Sequence, residues 1–117
     1  MDEPRHTVAV TDEFLKDCKA ASVSHAQLDE IVNALAAQPA QGDLIVGSGG
    51  ARKVRIAGRG KGKSGGFRLI TGYLGPDIPV YAFALFGKEE KANISKADIS
   101  DLHDVLAALK AYWKEPR

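Results

Sequence analysis

The sequence predicts one α+β domain in the order β-α-α-β-β-β-α, a small antiparallel sheet packed with two N-terminal helices and one C-terminal helix. Three observations predict it. The chain has 117 residues, and a domain runs to about 100–150 residues. Apolar residues recur at helical spacing near both ends of the chain. Between them lie three strand-like runs separated only by glycine-rich turns, with no segment long enough for a crossover helix. Residues 1–117 therefore read as a single domain.

The first strand is expected at His6 to Val10, where Thr7, Val8 and Val10 are β-branched. Thr11 or Asp12 then supplies a helix N-cap, and Phe14, Leu15 and Cys18 fall on one face of a short helix. Ser24 caps a second helix, whose Leu28, Ile31, Val32 and Leu35 follow the i, i+3, i+4, i+7 rule. Pro39 and Gly42 end it. Eleven of the 12 glycines lie from Gly42 to Gly75. Within that stretch Ala51 to Ala57 and Phe67 to Leu74 read as strands, and Gly75-Pro76-Asp77 as a turn. Val80 to Phe86 is apolar on both faces, as a central strand requires. Ser95 caps the last helix, with Ile99, Leu102, Val105, Leu106, Leu109, Tyr112 and Trp113 as its apolar stripe. Asp98, Asp101 and Asp104 near its start and Lys110 and Lys114 near its end suit the helix dipole.

Composition narrows the class. Hydrophobic residues make up 44% and charged residues 26%, the balance of a globule with a core of its own. A lone cysteine, Cys18, excludes a disulfide framework and a cysteine-based zinc site. No apolar run approaches the roughly 20 residues of a membrane helix. Met1 to His6 lacks the apolar stretch of a signal peptide, so the expected address is the cytoplasm, without a membrane partner.

The formal net charge is only +1, but it is unevenly spread. Between Leu44 and Pro76 there is no acid, and seven bases: Arg52, Lys53, Arg55, Arg59, Lys61, Lys63 and Arg68. That segment is +7, and the rest of the chain, with 9 bases and 15 acids, is −6. Such asymmetry points to a polyanionic partner.

Two glycine motifs imitate nucleotide sites. Ala57-Gly58-Arg59-Gly60-Lys61-Gly62-Lys63-Ser64 approaches a Walker A loop, and Gly60 to Gly65 fits G-x-G-x-x-G. Both patterns require a helix immediately afterwards, to aim its amides at phosphate. Here Gly65-Gly66 and a strand follow. One basic hairpin loop accounts for both matches.

On the strand Ala51 to Ala57, alternation sends Val54 and Ile56 to one face and Lys53 and Arg55 to the other. Two strand residues span roughly 6.7 Å, which suits successive phosphates of an extended single strand. Arg68 follows the loop on the neighbouring strand, with Arg59, Lys61 and Lys63 overhanging. Among the aromatics, Tyr73 and Tyr81 are candidate stacking surfaces, whereas Phe67, Phe83 and Phe86 are expected in the core. The histidines form no pair, His103 is expected as half-buried packing beside the apolar stripe of the last helix, and Cys18 is expected in the core. Catalysis would therefore run on arginine, lysine and tyrosine, groups that bind phosphate and offset charge developing on it. A lysine acting as base needs cationic neighbours that favour its neutral form.

Gly47-Ser48-Gly49-Gly50-Ala51-Arg52-Lys53-Val54-Arg55, Gly60-Lys61-Gly62-Lys63-Ser64-Gly65-Gly66-Phe67-Arg68-Leu69-Ile70, and the strand Val80 to Phe86 followed by Gly87-Lys88-Glu89-Glu90-Lys91-Ala92-Asn93-Ile94-Ser95 resemble the RelE/ParE superfamily of toxins. The nearest branch is the HigB-type. The resemblance implies the toxin of a type II toxin–antitoxin module. It implies a ribosome-dependent endoribonuclease that needs no metal or cofactor. In that reaction the ribose 2′-hydroxyl attacks the adjacent phosphate and leaves a cyclic phosphate. The implied partners are a cognate helix-turn-helix antitoxin of the HigA kind, the ribosome and its mRNA, with operator DNA contacted only through the antitoxin complex.

By the same resemblance Lys53, Arg55 and Arg68 are the catalytic positions: the first two bind RNA phosphate and assist as base, and the third stabilises the scissile phosphate. Arg52, Arg59, Lys61, Lys63, Lys88, Lys91 and Tyr73 complete the expected RNA-binding set. The family's second arginine falls on Glu89 here and its C-terminal tyrosine near Ser95, which leaves the general acid unassigned. Two alternatives share the fold: a ParE-like inhibitor of DNA gyrase, and an RNA-binding member that does not cut.

Overall fold

The computed structural model describes residues 5–57, 66–87 and 94–115. The chain runs β1 (Val8–Val10), α1 (Asp12–Ala20), α2 (His25–Ala37), β2 (Asp43–Leu44), β3 (Ala51–Ile56), β4 (Phe67–Gly72), β5 (Val80–Gly87) and α3 (Lys96–Lys114). The helices begin where their caps require. Thr11 Oγ1 accepts from Phe14 N at 3.1 Å, and Ser24–Gln27 and Ser95–Asp98 each form a reciprocal capping box. Such a cap contributes about 1 kcal/mol.

The five strands form one sheet in the order β1-β5-β4-β3-β2. β3, β4 and β5 make the expected antiparallel meander. Two features go beyond it. A two-residue β2 adds an edge strand on β3, and β1 lies parallel to β5, with Val8 opposite Val80 and Val10 opposite Ala82. The sheet is thus mixed rather than purely antiparallel. The α1 and α2 helices together carry the chain across one face of the sheet, so the first strand meets the last one, a pairing that leaves no local mark in the sequence.

β1 stops short of the end of β5. Thr11 turns the chain away, its amide and hydroxyl both donating to Ala82 O at 3.2 and 3.0 Å. Beyond that point Asp17 of α1 supplies the missing acceptor: Leu85 N donates to its Oδ2 at 3.0 Å.

Apolar side chains fill both faces of the sheet. On the inner face Phe14 and Cys18 of α1 and Ile31 and Leu35 of α2 pack on Val54, Ile56, Leu69, Val80, Ala82 and Leu85. Each large side chain removed from water there contributes roughly 1.5–3 kcal/mol. On the outer face Leu106 of α3 meets Ile45, Ala51 and Ile70. Gly72 makes that approach possible, because a Cβ there would lie 2.7 Å from both Leu106 Cδ2 and Phe83 Cε2. The α3 stripe is buried less completely than its spacing predicts, with Val105 and Tyr112 exposed. At the start of β3, His103 lies over the turn at Gly49, where an added Cβ would sit 3.3 Å from its Cδ2. Gly49 adopts a φ of 78°, a backbone region open to glycine. His103 is therefore a largely exposed clasp rather than half-buried packing.

Candidate nucleic-acid interface

The outer face carries the basic residues. Val54 and Ile56 point into the α1–α2 core, so strand alternation sends Ala51, Lys53 and Arg55 outward. Leu69 likewise points inward and Ile70 outward, which places Arg68 on the outer face. The register makes the arrangement specific: Arg55 pairs with Arg68 and Lys53 with Ile70. Directly opposed Cα atoms in an antiparallel ladder lie about 5 Å apart. All three cations are exposed, and among the described residues none has an ion-pair partner. α3 covers the Ala51 end of this face and leaves the Arg55–Arg68 end open.

Arg68 has a second neighbour, Phe86 on β5. A β-bulge puts it there. Ile70 pairs with Ala84 and Thr71 with Ala82, so Phe83 is the extra residue. Val80 and Ala82 face inward before the bulge and Leu85 after it, and Phe86 therefore emerges on the outer side. Uninterrupted alternation from Ala82 would have buried Phe86 inward, away from the cations. It is half-buried, packed at the margin of the α3 cluster, rather than a core residue.

Other expected contacts lie elsewhere. Arg52 has the opposite parity and points to the inner side, where its Nη1 donates to Gly42 O at 3.1 Å and ties β3 to the loop before β2. Tyr73 packs against the inner core and the His6 ring, with centroids 5.7 Å apart. Tyr81 stacks on Phe83 and accepts from Trp113 Nε1 at 2.9 Å, which joins β5 to the end of α3. None of the three joins the Arg55–Arg68 row. Arg59, Lys61, Lys63, Lys88, Glu89 and Lys91 lie outside the described residues.

Ser95 serves the fold: its Oγ accepts from Asp98 N at 3.1 Å at the head of α3. Cys18 is buried beneath α1, and burial, with the Asp17 carboxylate adding, pushes its thiol pKa up. A protonated buried thiol is a poor nucleophile. Among the described residues no cluster of His, Cys, Asp and Glu could hold a metal ion, and no helix is long and apolar enough to cross a membrane.

Two facing arginines and a lysine one pleat away form an exposed cationic surface, and guanidinium forks have the geometry to pair with phosphate oxygens. The sequence also matches, over residues 7–115, the family model described as the RelE toxin of the RelE / RelB toxin-antitoxin system. The chain belongs to this toxin family, and membership implies a cognate antitoxin.

Proposed function

Starting from a RelE-family toxin, we propose that this chain is a metal-independent endoribonuclease that cleaves mRNA on the ribosome and so stops translation. The observation that carries the reading is the Arg55–Arg68 pairing across β3 and β4. A phosphodiester laid over that pair receives donors from two sides, and guanidinium forks match its oxygens.

The 2′-hydroxyl gives up its proton as its oxygen attacks the adjacent phosphorus, the bond to the 5′-oxygen breaks, and that oxygen takes up a proton, so that a 2′,3′-cyclic phosphate and a 5′-hydroxyl result with no net change in protons. Negative charge grows on the non-bridging oxygens along the way. Arg55 and Arg68 offset it, and Arg68, on the central strand of the row, is the main stabiliser. Lys53, two residues from Arg55, holds the neighbouring phosphate and keeps the chain extended. Lys61, Lys63, Lys88 and Lys91 supply further cations to the RNA. The expected antitoxin is a helix-turn-helix protein of the HigA kind, through which the pair reaches its operator DNA.

The test is purified chain added to translating ribosomes, with mRNA ends mapped by primer extension. Cuts that depend on ribosomes and fall about 10²–10³-fold in rate in Arg68→Ala are expected, the scale for loss of one charge-stabilising donor. Growth arrest with intact mRNA and a gyrase-linked DNA-damage response would overturn the reading in favour of a gyrase inhibitor.

One observation favours a second reading, binding without cleavage. Ser95 stands where the family resemblance places a tyrosine, and its hydroxyl oxygen is taken up as the α3 N-cap. RNA binding with a steep salt dependence and no cuts would support that reading.

A further inference from the structure

An open apolar cleft of about 400 Å³ lies between the outer face of β4–β5 and α3. Ile70, Phe83, Phe86, Leu102 and Val105 line it, with Asp98 and Asp101 on its α3 side. Its volume falls in the range of small-ligand sites, roughly 300–1,000 Å³.

The cleft is continuous with the cationic surface. Ile70 is the ladder partner of Lys53, and Phe86 is the partner of Arg68. Stepping across the sheet from Arg55 to Arg68 to Phe86 covers two strand spacings of about 4.8 Å each. Two phosphate-binding groups are thus followed, in the same row, by an aromatic face and an apolar hollow. A nucleotide presents the same order of chemistry: an anionic phosphate, then a flat base with a π-face and polar edges.

Resting on the RNA-binding reading above, we propose that this cleft receives an unstacked base from the strand whose phosphate lies on Arg55 and Arg68. Phe86 stacks on the base, and Asp101 reads its edge. Asp98 is partly spent, since its Oδ2 already accepts from Ser95 N at 3.0 Å. Asp101 is exposed and offers two carboxylate oxygens. Guanine presents two adjacent donors, N1–H and the 2-amino group, to such a pair, whereas uracil presents one. The cleft therefore favours guanine over uracil. An apolar helix of a protein partner would also fill such a groove, but it would make no use of the arginines beside it.

The probe is a set of short oligoribonucleotides, made uncleavable by 2′-O-methylation, with guanine, uracil or an abasic ribose at one central position. Each is titrated into the full chain at low salt and followed by NMR. The guanine oligonucleotide is expected to bind about tenfold more tightly than the abasic one, the scale of one base–aromatic stack. Phe86→Leu should erase most of that ratio while leaving the abasic affinity within about twofold. Asp101→Asn should narrow guanine over uracil.

Equal binding of guanine and abasic oligonucleotides by the unmodified chain would overturn the base site without reference to any variant. So would a guanine-to-abasic ratio unmoved by Phe86→Leu, or loss of antitoxin binding in Phe86→Leu with RNA binding intact, which would assign the cleft to the partner. Failure of the underlying reading looks different: Arg68→Ala would then leave the affinity for every oligonucleotide unchanged.

Discussion

Arg55 faces Arg68 directly across β3 and β4, and among the described residues neither meets an acid. Like charges placed opposite one another in a ladder are destabilising. The fold tolerates the pair because both side chains are exposed and water screens them. A protein selected for stability alone would put an acid at one of these positions. Under the proposed function the pairing is a surface held ready for an anion.

Arg55→Gln should therefore separate stability from function. Removing one of the facing charges is expected to leave stability unchanged or raise it by up to about 1 kcal/mol. RNA binding and cleavage should fall. Thermal unfolding with and without added salt checks the cause: salt should stabilise the unmodified chain more than the variant, because it screens a repulsion that only the former contains.

Asp17 closes a gap in the sheet by accepting from Leu85 N. Asp17→Ala leaves that buried N–H without an acceptor and should cost about 1–3 kcal/mol. Asp17→Asn keeps an amide oxygen at the same place and should recover much of the loss. Denaturant unfolding of the two variants decides the point, and equal losses would show that the bond matters little.

Gly72 is the contact that seats α3. Gly72→Ala would push against Leu106 and Phe83 together, and overpacking of this kind costs about 1–3 kcal/mol. The predicted structural effect is specific: α3 lifts, and amide exchange rises along α3 and β5 before it rises in α1 or α2. Hydrogen-exchange mass spectrometry reads that order.

Cys18 makes the fold sensitive to alkali. Burial raises its thiol pKa above the unfolded value, so the folded state prefers the protonated form. The contribution is complete below the ordinary thiol pKa and is lost as pH rises through the folded-state value. Stability should therefore fall on the alkaline side, by at most about 1.4 kcal/mol per pH unit from this group. The slope should flatten in Cys18→Ala, whatever that variant's absolute stability. Denaturant midpoints measured across the alkaline range in both proteins provide the comparison.

Helix positions were legible in the sequence because their signals are local. Thr11, Ser24 and Ser95 cap the three helices as their hydroxyls and neighbours require. The meander was legible for the same reason, since glycine turns separate apolar runs too closely for any other connection. The parallel pairing of β1 with β5 was not, because it joins segments about 70 residues apart and depends on how α1 and α2 pack on the sheet. Arg52 and Lys53 show the limit at the site. They are adjacent in an acid-free stretch, yet one bonds to Gly42 on the inner side and the other faces outward.

The sequence by itself determined that seven cations would share one acid-free stretch and that alternation would send Lys53 and Arg55 to a common face. Both follow from composition and from the two-residue period of a strand. Only the tertiary structure decided that Arg68 stands opposite Arg55 and that Phe86, rather than Tyr73, stands beside them. The first depends on hairpin register and the second on one extra residue, Phe83, in β5. A single bulge reverses the facing of every side chain after it, and Phe83 lies in an apolar run whose pattern does not mark which residue goes unpaired.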